Sequence, residues 1–285
     1  MHLKSFWFSY RGILLNEIVN KNYFTFFRKI FGALYKFILK FYRNKFSSKI
    51  NNLDNPRNIK FFQLNLDKLF SVFNCDKGSY WVFNKKKKIS HNYSIFYEKY
   101  FRKLRKKKLN ILEVGSHEGK GIASFFFYFP KSIFIGANIN PFQMKYKSNR
   151  ISEIFVDVSS VKILNFLSMN INKQDIIIDD ASHNLRDILI SFSILFKKLK
   201  KGGIYVIEDM DQFKVIKELN PYKKNESTPK EILKKIKNRR KFHSSFISEK
   251  DKVYLTKNIK DIKIEKGSMI MKEKNISDIA FIFKR

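Results

Sequence analysis

From residue 109 onward, short apolar runs alternate with stretches whose apolar residues recur at helical spacing, the signature of βαβ units and a parallel sheet. The runs 109–114, 133–139, 154–158, 175–179 and 204–207 predict strands. Between them the pattern predicts a helix through Phe129, one opened by Pro141, one capped by Ser159 or Ser160, and one over 184–199. Gly202 and Gly203 read as the stop of that last helix. The charged stretch 220–260 is expected to be loop-rich, and 268–272 and 279–284 read as two closing strands, an antiparallel pair at the sheet edge. The expected fold class is α/β, a doubly wound, mostly parallel seven-stranded sheet. No internal repeat is visible.

Upstream of residue 109 the pattern changes. Within 1–50, Glu17 is the only acidic residue, while aromatics, Lys and Arg abound. Phe27, Phe31, Leu34, Ile38 and Phe41 fall on one side of a helix over 27–43, with Lys29, Lys36, Lys40 and Arg43 opposite. A basic, acid-poor amphipathic extension is the pattern of an organellar transit segment of mitochondrial or plastid type. It is equally that of an interfacial helix making peripheral membrane contact through 24–46. The plainer reading is a helix packed on the domain. Cations interrupt it every few positions, which makes it a poor transmembrane span. Arg11 and Glu17 bracket too short an apolar stretch for a secretory signal. Residues 51–108 read as a helical cap or lid, so the expected organisation is 1–50, 51–108 and a 109–285 domain.

Composition modifies this picture in one respect. The 285 residues hold 58 Lys and Arg against 25 Asp and Glu, a net charge of +33, which ordinarily marks nucleic-acid or anionic membrane partners. Yet Lys, Asn, Ile, Phe and Tyr are the residues of A/T-rich codons, and their excess reaches into the predicted core strands. Base composition accounts for the charge as well as a polyanion does, and nucleic acid is not favoured. The basic clusters 85–88, 102–108, 197–201 and 234–241 read as solvated faces. Cys75 is the only cysteine, which excludes an intramolecular disulfide framework and a cysteine-rich zinc site.

The candidate chemistry sits at strand ends. The segments DIIIDDASH (175–183) and GGIYVIED (202–209) are apolar runs that finish in acids. They place Asp179, Asp180, His183, Glu208 and Asp209 at one rim of the sheet, outside the carboxyl ends of the strands, where open α/β sheets bind ligands. Carboxylates crowded there repel one another unless a cation offsets them, so the set reads as a metal and proton-transfer site. The bland reading has Asp179 or Asp180 capping the next helix, and Glu208 and Asp209 paired with lysines. The loop Glu113, Val114, Gly115, Ser116, His117, Glu118, Gly119, Lys120, Gly121 is expected to let backbone approach a ligand with its amides directed at it. Its glycine spacing departs from the dinucleotide fingerprint, which argues against a nicotinamide dehydrogenase.

An acid closing the first strand, followed by this loop, resembles motif I of the class I S-adenosylmethionine-dependent methyltransferases. The ordered series CDKGS, HNYSIFYEKYF, ILEVGSHEGKG, FYFPKSIFIGANINP, FVDVSS, DIIIDDASHN and LKKGGIYVIED, over about 75–210, resembles the metal-dependent sugar O-methyltransferases of macrolide biosynthesis, the mycinamicin and demethylmacrocin type. The resemblance implies Mg²⁺ (or Mn²⁺) on Asp180, Glu208 and Asp209. It makes His183 the base, with Asp179 beside it as a further catalytic candidate. For S-adenosylmethionine it implies Glu113, Gly115, Ser116 and Gly119 on the methionine side, Asn138 at the ribose and Asp157 at the adenine amino group. Asn138 is a departure, because these enzymes usually carry an acid there. The segment with His91, Tyr93, Ser94 and Tyr97 is expected either to close over cofactor or substrate or to form an amphipathic helix burying Tyr93, Tyr97 and Phe101. The implied activity is metal-assisted methyl transfer to a hydroxyl of a small molecule or glycoside, in a protein expected to oligomerise. Two alternatives stand beside it: an RNA methyltransferase, which would need a continuous basic groove, and a catalytically degenerate subunit, which Asn138 keeps open.

Overall fold

The apolar runs assemble into one seven-stranded sheet in a computed structural model that describes residues 51–83, 86–140, 143–216, 219 and 226–285, with isolated positions between 23 and 35. Its strands are β1 (Asn110–Val114), β2 (Ile133–Asn138), β3 (Ile151–Phe155), β4 (Gln174–Asp179), β5 (Leu199–Ile207), β6 (Ile259–Lys266) and β7 (Asp278–Lys284). Their spatial order is β6-β7-β5-β4-β1-β2-β3, and only β7 runs against its neighbours. Ile176, Ile177 and Ile178 of β4 are all buried because helices cover both faces. A strand enclosed on two sides reads as an unbroken apolar run.

One face is covered by α1 (Leu66–Val72), α2 (Ser94–Phe101) and α3 (Lys120–Tyr128). The other carries α4 (Val161–Asn170), α5 (Leu185–Leu195), α6 (Pro229–Lys237) and α7 (Glu249–Asn258). The segment expected as a cap is therefore part of the core. Phe70 meets Phe125 edge-on at 5.5 Å, and Tyr97 meets Phe281 of β7 at 5.5 Å. Each fully buried aromatic of this kind contributes about 1.5–3 kcal/mol, so α1 and α2 pack as covering of the sheet.

Local signals account for the departures from the expected elements. β3 starts earlier than the apolar pattern suggested. Pro141 lies outside the described residues, and 143–150 hold no helix; Tyr146 and Lys147 instead pair in parallel with Asn51 and Asn52. α5 ends at Leu195, and Gly202, at φ +74°, lies inside β5 where the register with β4 is irregular. These glycines make a bulge and do not stop a helix. The supposedly loop-rich stretch contains α6 and α7, and the edge strand is β6; Ile270–Met271 forms only a small hairpin with Lys274–Asn275. β6 hides its apolar positions among charges, as an exposed edge does.

At the start of α6, Thr228 and Glu231 form a capping box around Pro229. Thr228→Ala is expected to lower stability by about 1 kcal/mol, read as a shift of the urea midpoint at unchanged slope.

Of the N-terminal extension, Tyr23, Phe24, Phe27, Ile30, Phe31, Leu34 and Tyr35 are helical. The rest of the expected amphipathic segment, with its basic side and any targeting role, lies outside the described residues. Among the described residues no helix is long and apolar enough to cross a membrane.

Candidate active site

The strand order reverses at β1, which has β2 on one side and β4 on the other. Crossovers leaving in opposite directions open a crevice beyond the carboxyl ends of these strands. A cavity of about 650 Å³ lies there, a size usual for small-molecule sites.

The pleat decides which acids reach it. Val114, Asp179 and Ile207 stand in one row across β1, β4 and β5, and successive side chains point to opposite faces. Asp179 consequently enters the α5 side, where its Oδ2 accepts a hydrogen bond from the Tyr205 hydroxyl at 2.8 Å. It is 4 % exposed, does not line the cavity, and burial raises its carboxyl to about 6. The structure thus sets the expected catalytic Asp179 behind the site, as a partner of Tyr205.

Asp180 and Glu208, one residue further on, face the α1–α3 side and meet Lys77 from the loop after α1. The Lys77 ammonium donates to Asp180 Oδ2 and, at 2.6 Å, to Glu208 Oε2, and lies 3.6 Å from Glu113 Oε1. Burial alone would lower the lysine's pKa, but Asp180, Glu208 and Glu113 together hold it well above its ordinary value. Tyr97 donates its hydroxyl to Glu208 Oε1, so both oxygens of Glu208 are engaged by the protein.

Asp180, His183 and Asp209 each bring one ligand atom within 4.8 Å of the others, an arrangement able to hold a metal ion. Glu208 is not part of this group. His183 Nε2 is 3.6 Å from Asp180 Oδ1. His183 and Asp209 have φ of +54° and +53°, a conformation uncommon for residues other than glycine and frequent at functional turns. Asp209 accepts hydrogen bonds from the Tyr93 hydroxyl at 2.5 Å and from Gln212 Nε2 at 2.7 Å, and its Oδ1 is 3.1 Å from His91 Nδ1. The His91 contact has the distance of an ion pair without hydrogen-bond alignment. Burial raises the Asp209 carboxyl, yet His91 outweighs it and holds the group well below the usual carboxylate range. The carboxylate oxygens of Asp180 and Asp209 are donors that suit Mg²⁺ or Mn²⁺.

The glycine loop works differently from expectation. Gly115 has φ +90°, and a Cβ there would lie 1.9 Å from the Asp180 carbonyl oxygen, so glycine is what lets the β1 loop pass beneath the β4 loop. The amides of Gly115 and Ser116 both donate to the Ala137 carbonyl (2.8 and 3.2 Å), and that of Gly119 to the Ser116 carbonyl (2.7 Å). The first two amides join the loop to β2, the third closes the loop on itself, and none is left to point at a ligand. Gly119, at φ +81°, caps α3 and does not line the cavity. The loop presents side chains instead: Glu113 Oε2 and Ser116 Oγ are buried with no partner in the protein, and both residues line the cavity. Such atoms call for a ligand or water, and a carboxylate acceptor fits an ammonium group. Burial, partly offset by Lys77, pushes the Glu113 carboxyl to about 7.

The other candidates divide. Asn138 and Asp157 line the cavity. Asn138 Nδ2 donates to the Asn140 carbonyl and to Gln143 Oε1, both at 3.2 Å, and its Oδ1 accepts from the Ile139 amide. Asp157 Oδ1 accepts from the amide and hydroxyl of Ser159. Tyr93 and Ser94 do not line the cavity: Tyr93 backs Asp209, and Ser94 donates to Asp67 at 2.7 Å. Tyr93, Tyr97 and Phe101 are all fully buried, whereas His91 reaches the cavity wall. Sequence reasoning missed Lys77 and Gln212. Lys77 stood in the quoted run CDKGS, but nothing local tells that its ammonium ends among three carboxylates.

No family model matches the chain. Over 78% of this chain and 54% of the other, the fold matches the MycE methyltransferase of the mycinamycin biosynthetic pathway, solved with Mg, SAH and mycinamycin VI, at a TM-score of 0.58 and 22% identity. This is the class I methyltransferase fold. In sequence, this methyltransferase-fold chain is 29% identical over 127 residues to 8-demethyl-8-alpha-L-rhamnosyl tetracenomycin-C 2'-O-methyltransferase of Streptomyces olivaceus, covering 42% of this chain and 33% of that one. It is 32% identical over 128 residues to mycinamicin VI 2''-O-methyltransferase of Micromonospora griseorubida, covering 42% and 32%. The chain spans about a third of the length of these curated relatives.

Proposed function

We propose that this protein is an S-adenosylmethionine-dependent, divalent-metal-assisted O-methyltransferase acting on a sugar hydroxyl of a small-molecule glycoside. One observation carries the reading: a single cavity is lined both by Glu113 and Ser116, whose Oε2 and Oγ have no partner, and by the Asp180, His183, Asp209 group. Relatives named for methylating sugar hydroxyls support the acceptor class.

When bound, the cofactor supplies an electrophilic sulfonium methyl, and a divalent ion acidifies an acceptor hydroxyl. Glu113 and Ser116 hold the amino-acid end of the cofactor, while Asn138 and Asp157 border the nucleoside end. Asp180 and Asp209 hold the ion. Glu208 joins them only by giving up a bond to Lys77 or Tyr97. His183, at the cavity wall, takes the proton of the hydroxyl as general base. The remaining work is alignment for in-line transfer, which a walled cavity provides.

Calorimetric titration of the full chain with S-adenosylmethionine, in matched buffers with Mg²⁺ and with chelator, tests the reading. Micromolar binding is expected, followed by Mg²⁺-dependent methylation of a rhamnosylated polyketide. Folded protein that binds no cofactor in either buffer would reject it in favour of a methyltransferase-like subunit. Asn138 makes that outcome specific, because its amide nitrogen is already bound within its own loop.

A further inference from the structure

Glu113, Asp180 and Glu208 come from the ends of three strands, β1, β4 and β5, and converge on a single ammonium. Lys77 is 3 % exposed, and its place is built. Its carbonyl accepts from the Ser94 amide at 3.1 Å, and the neighbouring carbonyls of Asp76 and Gly78 accept from the His91 and Asn92 amides. Asp67 ties the same loop down by accepting from Ser79 and Ser94. On the far side the second residue of α3 is glycine: a Cβ on Gly121 would lie 2.5 Å from Glu113 Oε1 and 3.0 Å from Lys77 Cε. The helix is thinned where the pair passes.

Carboxylates this close, with Glu113 and Glu208 buried and Asp180 half-buried, repel one another and stay together around a cation. Lys77 supplies that charge from the inner side, through Asp180 Oδ2. The other oxygen, Oδ1, is the one nearest His183. We propose that Lys77 is a positioning residue, a resident counter-cation that keeps Glu113, Asp180 and Glu208 assembled without a metal, so that a divalent ion meets a preformed rim. This rests on the reading that Asp180 and Asp209 hold such an ion. Preassembly has a consequence for affinity, since a fixed positive charge beside the ligands weakens their hold on a second cation.

The test compares wild type with Lys77→Met by thermal melting in chelator and in Mn²⁺, and by Mn²⁺ titration followed by electron paramagnetic resonance. Lys77→Met is expected to melt lower in chelator, to recover in Mn²⁺, and to bind Mn²⁺ about tenfold more tightly. Lys284→Met is the control: this other buried lysine donates to the carbonyls of Phe196 and Leu199, so its loss should lower the melting temperature equally in both buffers. Unchanged or weaker Mn²⁺ binding by Lys77→Met would overturn the proposal, as would a melting loss that Mn²⁺ restores no better than in the control. If Lys77→Met is insoluble, the pair Lys77→Met with Glu208→Gln, which has one carboxylate fewer, is expected to fold in chelator. Its failure to do so would also overturn the proposal. Titration of wild type with S-adenosylmethionine decides the methyltransferase reading separately, because a negative result there leaves the Mn²⁺ comparison standing.

Discussion

Gly115→Ala is expected to destabilise the protein by at least about 3 kcal/mol and to weaken both halves of the site together. The backbone at Gly115 has φ +90°, and the added carbon would lie 1.9 Å from the Asp180 carbonyl oxygen and 2.5 Å from its carbonyl carbon. Those are main-chain atoms held by the bond from the Asp180 amide to the Val114 carbonyl at 2.9 Å, so no side chain can rotate away to make room. Either the β1 loop or the β4 loop must move. The first carries Glu113 and Ser116, the second Asp180 and His183. Gly202→Ala separates strain from collision, since Gly202 has φ +74° but nothing within 4 Å of its Cβ position. It should cost about 1 kcal/mol, the left-handed penalty alone. Urea denaturation reads the stability difference, and titrations with cofactor and Mn²⁺ read the site. A Gly115→Ala protein that matches Gly202→Ala in all three would show that the close approach of the two loops is unimportant.

His183→Ala is expected to lower kcat by about 10²–10⁴-fold, the contribution of a positioned general base, with cofactor affinity unchanged. The residue sits at φ +54°, so alanine alters the backbone preference as well as the ring. Asparagine tolerates that conformation, and His183→Asn therefore isolates the imidazole. Both variants should lose turnover alike if the ring is the base, while S-adenosylmethionine binding by calorimetry stays at the wild-type value. Turnover within threefold of wild type for His183→Asn would move the base elsewhere. His91, on the same cavity wall and 3.1 Å from Asp209, would then be examined next.

The elements the sequence misplaced share a physical cause. β6 escaped notice because its outer positions are Lys, Asp and Glu, as an edge strand requires, and α6 because lysines surround its buried Ile232, Leu233 and Ile236. Gly202 and Gly203 were assigned to a helix end because a bulge and a helix stop ask for the same residue. The loop amides of Gly115, Ser116 and Gly119 were expected to face a ligand, yet whether an amide is free depends on whether another strand's carbonyl is near. Here Ala137 and Ser116 take them.

What the sequence by itself determined is what short-range chemistry can write: alternating apolar and helical periods, acids placed where the apolar runs stop, and glycines at a turn that demands positive φ. From these follow the doubly wound sheet and the rim where Asp180, His183, Glu208 and Asp209 gather. The tertiary structure alone decided how that rim is used. Register across β1, β4 and β5 sends Asp179 to Tyr205 and Asp180 to the cavity side, although the two are adjacent in sequence. It also brought Lys77 to Asp180 across 103 positions and buried Tyr93 behind Asp209 instead of over a ligand. Periodicity is a property of neighbours a few residues apart. Which face meets which, and which charge ends beside which, depends on strand register and helix packing between segments far apart in the chain.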